Sequence, residues 1–490
     1  MSTSFLVAKR VVTWELQERF AALCGDRNPM HMDVVAARRT QAGMPVVHGV
    51  HTLLWALDSL AAKGLITQPL VRARVRFLKW VYVGDEAELT VEDEGANPGR
   101  IEVLVGGLAV LAADLTYGEH AVAASEGATS PEAPLEVALD RSIEECVYAS
   151  GDAYTAPAED GARMFAALAK LVGGAAIADT ASASYVVGME APGLHSMFSK
   201  ADLSFATVPA SGGRRALHWE VTYTDPRFRK ARIAVAGGAV TGTLEVFFRM
   251  PPVEQAGMGL LQQHVDPNEF SGMRALIIGG SRGLGELTAK LVAAGGGVPT
   301  ITYAVGKTDA EQVRVQIGAA GGRAGLLHYD ARKPAAGQVV GLTEAPTHLF
   351  YFATSTIYRP KQGVLSGAML AEFIQFYVQG FYDLCVALTE LRGTMPGKLE
   401  VLYPSTVFVE NRPAGMTEYA MVKAAGEQLC VDMNQYLQGV HVVSHRFPKL
   451  RTDQTAGVLP ERETEAMDSM LPVLRDLMRV GSPAKGQSNA

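Results

Sequence analysis

Cysteine is scarce in this chain, which has four cysteines in 490 residues and no Cys-x-x-Cys pair. The wide separation of Cys24, Cys146, Cys385 and Cys430 disfavours a structural zinc site and a disulfide framework, which suits a reducing cytoplasm. The sequence has no apolar run of about 18 residues, so it predicts no membrane span. The N-terminus carries no basic segment followed by a long apolar core, which disfavours secretion.

Charge of either sign is not in large excess. There are 44 Lys and Arg residues against 51 Asp and Glu residues, and the net charge is −7. This balance gives no basic footprint for nucleic acid, so we expect no such partner. Hydrophobic residues make up 48% of the chain and charged residues 19%, which fits a globular enzyme rather than a disordered or fibrous protein.

Two small-residue, polar segments divide the chain. Residues 119–138 and 251–272 are rich in turn-forming residues and are predicted to be linkers. The predicted domains are 1–118, 139–250 and 273–465, followed by a C-terminal helix and disordered tail over 466–490.

The first two domains share an order of elements. Val47–Leu60 is predicted to form a helix, and Val71–Phe77 alternates apolar and basic residues as a half-buried strand does. In the second domain, Met164–Asp179 is predicted to be a helix followed by strands. We expect each of these two domains to contain one long helix wrapped by an antiparallel sheet. The row of Arg72, Arg74 and Arg76 is either a solvated strand face, as the pattern favours, or a contact for coenzyme A phosphates or an acidic carrier protein.

The third domain alternates short buried strands with helices, which predicts a parallel α/β sheet. Its segment IIGGSRGLGELTAK places Gly279, Gly283 and Gly285 in a turn between a strand and a helix. Glycines let the backbone approach a pyrophosphate closely, and the N–H groups at the start of the helix can bind its charge. This turn predicts a dinucleotide site.

A tyrosine and a lysine follow at helical spacing, Tyr419 and Lys423, after a Ser405–Thr406 pair at the end of a predicted strand. A phenol is a weak acid with a pKa of about 10, and a lysine one turn away can lower that value and reach a cofactor ribose. Ser405 or Thr406 can hold a substrate carbonyl, and the sequence leaves both open.

These residues resemble the short-chain dehydrogenase/reductase family over about 273–455, which implies a Rossmann-type, doubly wound sheet. By matching positions, the resemblance implies that Tyr419 is the proton donor and Lys423 its modulator, and that both also contact the cofactor. The supporting hydroxyl is that of Ser405 or Thr406. The other implied cofactor contacts are Gly279, Ser281, Arg282, Gly283, Leu284, Gly285, Asp330 (at the adenine) and Ala353.

Three positions depart from that family. Tyr351-Phe352-Ala353-Thr354 stands for its Asn-Asn-Ala-Gly stretch, Lys449 replaces a glycine, and a relay asparagine is missing near Tyr377–Gly380. No acidic residue follows the second strand to bind a ribose 2′-hydroxyl, whereas Arg282 and Lys307 can meet a 2′-phosphate. We therefore expect NADPH rather than NADH.

The first domain carries a second constellation. The segment GDRNPMH holds Asp26, Asn28 and His31, and VVHG places His48 and Gly49 at a predicted helix start. An Asp and a His held by a short loop can activate one water. A free backbone N–H at Gly49 can stabilise an enolate-like thioester oxygen. Together these features predict hydration of an unsaturated thioester, or its reverse.

This pattern resembles the hydratase 2, or MaoC-like, hot-dog family over about 10–118. The resemblance implies that Asp26 and His31 are the catalytic pair, that Asn28 supports them, and that His48 and Gly49 lie at the oxyanion position. The second domain has no matching motif, since Gly151-Asp152 is not followed by a histidine. It is predicted to be a degenerate half that completes a double hot-dog, with His195 and His218 structural. We expect no metal site.

The two resemblances share an intermediate, a 3-hydroxyacyl thioester. The first hypothesis is a ketoreductase/dehydratase that converts a 3-oxoacyl thioester of coenzyme A or acyl carrier protein to a trans-2-enoyl thioester, with (3R) configuration implied by hydratase 2. The second is the reverse, hydration and NAD-dependent oxidation in β-oxidation. The third is a chain with one active domain and one binding scaffold. We also expect a homo-oligomer.

Overall fold

The computed structural model describes residues 4–92, 95–122, 129–207, 216–357, 359, 361–453 and 464–481. Two compact units divide between Pro251 and Pro252. Parts of the predicted segments lie outside the described residues. They are 1–3 and 93–94 of the first domain, 123–128 of the first linker, 208–215 of the second domain, 358, 360 and 454–463 of the third domain, and the tail from 482. The finer domain limits therefore stay predictions.

The first unit contains one continuous sheet with helices packed against it. Its described strands are β1 (Phe5–Val11), β2 (Leu70–Phe77), β3 (Glu86–Val91), β4 (Arg100–Val105), β5 (Leu108–Tyr117), β6 (Ala121–Val122), β7 (Ser150–Ala153), β8 (Ser196–Thr207), β9 (Leu217–Asp225), β10 (Lys230–Ala236) and β11 (Val240–Phe248). Its described helices are α1 (Trp14–Cys24), α2 (Pro29–Met32), α3 (Val34–Arg38), α4 (Gly49–Ala62), α5 (Ala158–Met164), α6 (Ala166–Val172) and α7 (Gly174–Tyr185), which continues as a π-helical turn, Val186–Glu190.

The strand order shows an internal duplication. The sheet runs β1-β3-β4-β5-β2-β8-β11-β10-β9-β7, so the second half repeats the first in mirrored order. The halves join where β2 and β8 pair antiparallel, with Val75 opposite Ala201. At this junction Arg72 binds Asp202 through two hydrogen bonds of 2.7 Å, while Arg76 is exposed. Arg74 also lies 3.5 Å from the Asp202 carboxylate, so two members of the arginine row pair with the second half.

Helices α4 and α7 are the central helices of the two halves. Helix α4 is apolar on nearly all sides, as expected of a helix buried between a sheet and other helices. Helix α7 is buried from Ala176 to Tyr185 and consists mainly of small residues. Its start lies very close to α5, because a Cβ on Gly174 would come within 2.1 Å of the carbonyl oxygen of Ala158.

The helix predicted over Met164–Asp179 is wrong in its limits. The chain leaves helical geometry at Phe165, with φ −129° and ψ 65°, and again at Gly173, with φ +80°. Three helices result, and the long one begins at Gly174. Among the described residues, no single helix is long and apolar enough to cross a membrane. Only the pair Ala166–Val172 and Gly174–Glu190, bent by 109°, passes such a test of length and composition.

The second unit is built on a parallel sheet. Its described strands are β12 (Arg274–Ile278), β13 (Val298–Tyr303), β14 (Gly325–His328), β15 (His348–Tyr351), β16 (Leu399–Thr406) and β17 (Val440–Phe447). Its described helices are α8 (Met258–Leu261), α9 (Gly283–Ala294), α10 (Lys307–Ala319), α11 (Ala336–Val339), α12 (Gly367–Ile374), α13 (Gly380–Arg392), α14 (Phe408–Asn411), α15 (Thr417–Tyr436) and α16 (Ala466–Gly481), with a π-helical turn, Gln375–Gln379, between α12 and α13.

The order of this sheet is β14-β13-β12-β15-β16-β17. The strand order reverses direction between β12 and β15, and in doubly wound sheets ligands bind in the crevice beyond the carboxyl ends of the strands at that point. Gly279 follows β12 there, and Ala353 follows β15. The predicted fold class, a helix-wrapped antiparallel sheet followed by a Rossmann-type parallel sheet, is confirmed.

Parts of the predicted linkers belong to the cores. The Ser130 hydroxyl is buried and accepts a hydrogen bond from the N–H of Thr155 at 2.8 Å. Phe270, in the second predicted linker, is fully buried in the second unit. Tertiary contacts thus hold Ser130 and Phe270, whereas the limits of the two linkers stay predictions.

The β10–β11 hairpin offers a test of the first unit. Asp179 on α7 is buried, and its Oδ2 accepts hydrogen bonds from the N–H groups of Ala239 and Val240 at 2.8 and 3.2 Å. Asp179→Ala leaves these donors without that acceptor, so we expect the free energy of unfolding to fall by about 2 kcal/mol or more in urea denaturation. The control Asp160→Ala, on the partly exposed α5, should change it by under about 0.5 kcal/mol. Equal losses in both variants would contradict this role.

Candidate functional site

A tight turn after α1 brings Asp26 and His31 to the interior of the first unit. Asp26 Oδ1 accepts the N–H of Asn28 at 3.1 Å. Asn28 in turn caps α2 by accepting the N–H of Met30 at 3.0 Å, and Pro29 suits the first helical position. The Asp-x-Asn-Pro sequence therefore turns the chain and starts the helix that carries His31.

The tautomer of His31 follows from its neighbours. Its Nδ1 lies 2.6 Å from the carbonyl oxygen of Val46, and a carbonyl can only accept, so Nδ1 donates. In the neutral ring Nε2 is then a free acceptor. Nε2 lies 4.0 Å from Oδ2 of Asp26. A proton acceptor and a carboxyl group thus stand side by side.

Both side chains line a cavity of about 80 Å³. Its wall contains both polar groups and aromatic rings. The polar groups belong to Asp26, His31, Gly49, Ser184 and Gly188, and the rings to Phe77, Trp80 and Phe198. An apolar pocket with a few converging polar groups is the usual form of a small-molecule site.

The second half of the unit supplies part of this site. Ser184 Oγ on α7 donates to Oδ2 of Asp26 at 2.8 Å. Gly188 lies so near that a Cβ there would come within 2.3 Å of Asp26 Oδ1. The Asn28 side-chain amide donates to the carbonyl oxygens of Gly188 and Gly193 at 2.8 and 3.1 Å. The sequence analysis missed Ser184 and Gly188, which lie in a run of small residues without a recognisable motif.

Asp26 is almost completely buried, with 1% of its surface exposed. Burial raises the pKa of its carboxyl group, whereas the charge of His31 and the hydrogen bond from Ser184 act in the opposite direction. The net direction is upward, so the protonated form is more accessible than in an exposed aspartate. A carboxyl group with a raised pKa is suited to donate a proton.

The structure places His48 and Asn28 behind the cavity wall, and the predicted oxyanion position of His48 stays a prediction. His48 is fully buried and is absent from the cavity wall, because its Nε2 donates to the backbone carbonyl of Asp26 at 3.0 Å and its ring stacks on His31 at 4.0 Å. Burial lowers the pKa of His48 well below its ordinary value, which keeps the ring neutral. Asn28 is likewise buried away from the wall. Both residues contact the loop that carries Asp26 and His31.

Ligand atoms of Asp26, His31 and His48 lie within 4.8 Å of one another, a spacing that also suits a metal ion. The Nε2 of His48 is committed to a backbone carbonyl and the Nδ1 of His31 to another. The Nε2 of His48 is therefore not available as a metal ligand, whereas the Nε2 of His31 remains available to bind a metal ion or to accept a proton.

Gly49 begins α4 and lines the cavity. N–H groups in the first turn of a helix have no partner within the helix, and the helix dipole makes them attractive to negative charge. A Cβ at this position would come within 2.8 Å of the Phe77 ring. Glycine therefore allows the ring and the N–H to share one wall.

The glycine turn of the second unit fits a dinucleotide. Gly279 has a φ of +77°, and Gly283, at the start of α9, has a φ of +57°. A Cβ on Gly285 would come within 2.2 Å of the carbonyl oxygen of Gly279, so glycine is needed for the close approach of helix and turn. Arg282, the N-cap of α9, makes no capping hydrogen bond. This arrangement leaves first-turn N–H groups for a pyrophosphate.

The other predicted cofactor residues lie around this turn. Ser281 is buried, and the carbonyl oxygen of Leu284 accepts from Thr288 inside α9. Arg282 lies 3.6 Å from the Asp453 carboxylate. Asp330 is engaged by the Arg332 guanidinium through two hydrogen bonds of 2.8 and 2.9 Å, which lowers the pKa of Asp330.

Two charges bear on the choice between NADPH and NADH. Lys307 begins α10 just after β13, is mostly exposed, and lies 3.7 Å from Glu311. Arg282 faces Asp453 instead of solvent. Each of the two cations thus has a carboxylate within 4 Å, and Lys307 is the more exposed of the two.

Tyr419 and Lys423 lie one turn apart on α15. Lys423 is buried, its Nζ donates to the carbonyl oxygen of Pro404 at 2.7 Å, and it lies 4.2 Å from the ring centre of Tyr377 and 5.7 Å from that of Tyr419. Desolvation lowers the pKa of Lys423 to about 7. The predicted pair is therefore assembled next to the carboxyl end of β16.

The two candidate hydroxyls make different contacts. Ser405 donates to a carboxylate oxygen of Glu427 at 2.5 Å, whereas the Thr406 hydroxyl accepts the N–H of Phe408 at 3.2 Å. Neighbouring residues on a strand point to opposite faces. The Phe408 ring contacts the Tyr419 ring, with centroids 6.4 Å apart. The Thr406 hydroxyl therefore binds the backbone of Phe408, whose ring contacts Tyr419, whereas the Ser405 hydroxyl binds Glu427.

Residues unlike those of the resembled family fill the space around this pair. The Tyr377 ring lies 5.5 Å from that of Tyr419, and its hydroxyl is 2.5 Å from that of Thr354. Tyr377 lies in the π-helical turn Gln375–Gln379. The turn at Gly279 approaches Ala353 closely, because a Cβ added at Gly279 would lie 3.3 Å from the backbone nitrogen of Ala353. The sequence analysis recorded these positions only as departures.

Fold and sites together define a two-unit protein that combines a helix-wrapped antiparallel sheet with a dinucleotide-type crevice. Residues 4–112 match the family model of the MaoC like domain. The resemblance of the first domain to that family is thereby confirmed over these residues. The match ends before the half that contributes Ser184 and Gly188. Among curated proteins, none matches the chain.

Solved structures similar to this chain include short-chain dehydrogenases. One from Burkholderia cenocepacia in complex with NADP is 23% identical, covers 43% of this chain and 92% of its own, and has a TM-score of 0.37. A 3-oxoacyl (acyl-carrier-protein) reductase from Agrobacterium tumefaciens with NADP bound is 20% identical, with coverages of 38% and 74% and a TM-score of 0.33. A gluconate 5-dehydrogenase from Burkholderia cenocepacia is 18% identical, with coverages of 38% and 76% and a TM-score of 0.34.

The buried lysine gives a pH-dependent prediction. Because the pKa of Lys423 falls from 10.5 to about 7 on folding, the unfolded chain holds one more proton between these values. Stability attributable to this group should therefore rise with pH from about 7 to about 10, by at most about 1.4 kcal/mol per pH unit. Lys423→Met should remove this rise in urea denaturation at pH 7 and 9, while Lys79→Met, at an exposed lysine, should retain it. Parallel curves for wild type and Lys423→Met would contradict the shift.

Proposed function

We propose that this chain is a bifunctional enzyme that reduces a 3-oxoacyl thioester and then dehydrates the (3R)-hydroxyacyl product to a trans-2-enoyl thioester. The observation that carries the proposal is the buried Asp26 beside His31 on a cavity that Gly49 also lines. The strand–glycine turn–helix of the second unit, with Tyr419 and Lys423 on α15, supports the reductive step.

In the dehydration, the Nε2 lone pair of His31 removes a proton from C2 of the 3-hydroxyacyl thioester. The C2–C3 double bond forms as the C3–O bond breaks, and the Asp26 carboxyl group donates a proton so that water leaves. The raised pKa of Asp26 favours this donor role. The N–H of Gly49 stabilises the negative charge that develops on the thioester oxygen.

In the reduction, Tyr419 donates the proton to the carbonyl oxygen of the substrate, and Thr406 holds that oxygen. A bound nicotinamide cofactor would supply the hydride to C3. Lys423, one helical turn from Tyr419, would contact its ribose. Gly279, Gly283 and Gly285 would let its pyrophosphate approach the N–H groups at the start of α9, and Lys307 would favour NADPH.

Product analysis separates the two activities. With a short 3-oxoacyl coenzyme A and NADPH, we expect mass spectrometry to find the trans-2-enoyl thioester. His31→Ala should stop the reaction at the 3-hydroxyacyl thioester, and Tyr419→Phe should block reduction but retain hydration of added enoyl thioester, each with a rate loss of about 10²-fold or more. Loss of neither step in these variants would refute the assignment, and tighter binding of NAD⁺ than NADPH would favour the oxidative direction.

The second half of the first unit provides an independent test. Gly188→Ala places a methyl group against the Asp26 carboxylate and should reduce dehydration at least about tenfold without affecting NADPH oxidation. Gly99→Ala is the control, since a Cβ there meets no atom within 4 Å. Ser184→Ala, which only removes a hydrogen bond to Asp26, distinguishes a site effect from misfolding. Full dehydratase activity in both Gly188→Ala and Ser184→Ala would exclude this contribution.

A further inference from the structure

A second cavity of the first unit lies apart from the Asp26 site. It has a volume of about 260 Å³ and is lined by Arg10, Leu16, Arg19, Trp55, Asp58, Met164 and Phe165. The two cavities share no lining residue. On α4, Gly49 and Thr52 face the Asp26 cavity, whereas Trp55 and Asp58 face this one. We call it the arginine groove.

A neutral partner holds Arg10 in place. The guanidinium Nη2 of Arg10 lies 3.1 Å from Nε2 of His51, and since arginine can only donate, Nε2 accepts. His51 is buried, and desolvation lowers its pKa to about 3, so the ring is neutral at physiological pH. This contact orients Arg10 without compensating its charge.

The one carboxylate that lines the groove, that of Asp58, accepts hydrogen bonds from backbone N–H groups. Asp58 Oδ1 accepts the N–H groups of Ala167 and Leu168 at 2.9 Å each and thereby caps α6. Among the described residues, no carboxylate lies within ion-pair distance of either Arg10 or Arg19. Burial lowers the pKa of Arg10 and the charge of Arg19 lowers it further, whereas the charge of Asp58 acts in the opposite direction. With two arginines and one carboxylate, the lining of the groove carries one net positive charge.

The remaining wall is apolar. Trp55 and Phe165 contribute aromatic surface, and Leu16 and Met164 contribute aliphatic surface. Phe165 is buried and contacts His51 edge-on, with ring centroids 6.3 Å apart, so this side of the groove is fixed by the core. A ligand with both an anionic group and an apolar ring would complement both kinds of surface.

We propose that the arginine groove is a binding site for a small organic anion, with a carboxylate or phosphate between Arg10 and Arg19 and an apolar ring against Trp55 and Phe165. Guanidinium groups pair with either kind of anion through two parallel hydrogen bonds. The site is separate from both proposed catalytic centres and does not depend on their activities.

Titration calorimetry on the full chain tests the proposal with 3-phenylpropionate and phenyl phosphate as probes and benzyl alcohol as the uncharged counterpart. We expect one or both anions to bind with a submillimolar Kd at low salt, and benzyl alcohol to bind at least about tenfold more weakly. Binding of only one anion identifies the charged group as carboxylate or phosphate. Absence of binding by both anions, or equal binding of benzyl alcohol, would overturn the proposal.

Variants locate the site. Arg19→Gln, at an exposed residue, and Arg10→Gln should each weaken anion binding about tenfold or more. Arg76→Gln, an exposed arginine on β2, is the matched control and should bind as the wild type does. Quenching of tryptophan fluorescence by the bound probe should disappear in Trp55→Phe. If Arg19→Gln and Trp55→Phe bind and respond like the wild type, the anion binds elsewhere and the assignment is wrong.

Discussion

The arrangement of the first unit depends on a buried carboxylate. Removing Asp26 from water is costly unless polar groups replace the lost hydration. The N–H of Asn28 and the hydroxyl of Ser184 provide that replacement. Because Ser184 belongs to α7, the carboxylate can be buried only when both halves of the sheet are joined. The proposed dehydratase site therefore requires a larger part of the chain than the segment that matches the MaoC like domain.

The two halves have the same strand order but different interiors. In the first half, the loop that holds Asp26 and His31 precedes the central helix α4. In the second half, the central helix α7 consists mainly of small residues. Asp152, the residue nearest to a second motif, lies on the edge strand β7 and binds His218 at 2.9 Å. Both halves contribute strands to the sheet, and the second half also contributes Ser184 and Gly188 to the wall of the Asp26 cavity.

In the second unit, aromatic rings surround the amine of Lys423. Tyr377 and Tyr403 lie against the Nζ of Lys423, at 4.2 and 4.9 Å from the ring centres. Rings can stabilise a cation through their faces, but they also remove water from it. The lowered pKa of Lys423 indicates that desolvation is the larger effect. The pair of Tyr419 and Lys423 therefore operates in a drier environment than the motif alone indicates.

The sequence by itself determined the element types, the glycine turn, the loop around Asp26 and His31, and the Tyr419–Lys423 spacing, because each depends on residues within a few positions of one another. Only the tertiary structure decided that His48 lies behind the cavity wall, that Ser184 and Gly188 complete the site, and that Arg332 engages Asp330. Hydrogen bonds between residues 160 positions apart, such as that from Asn28 to Gly188, leave no local pattern. They form only when packing brings distant segments together, and the same packing interrupts the predicted helix at Gly173.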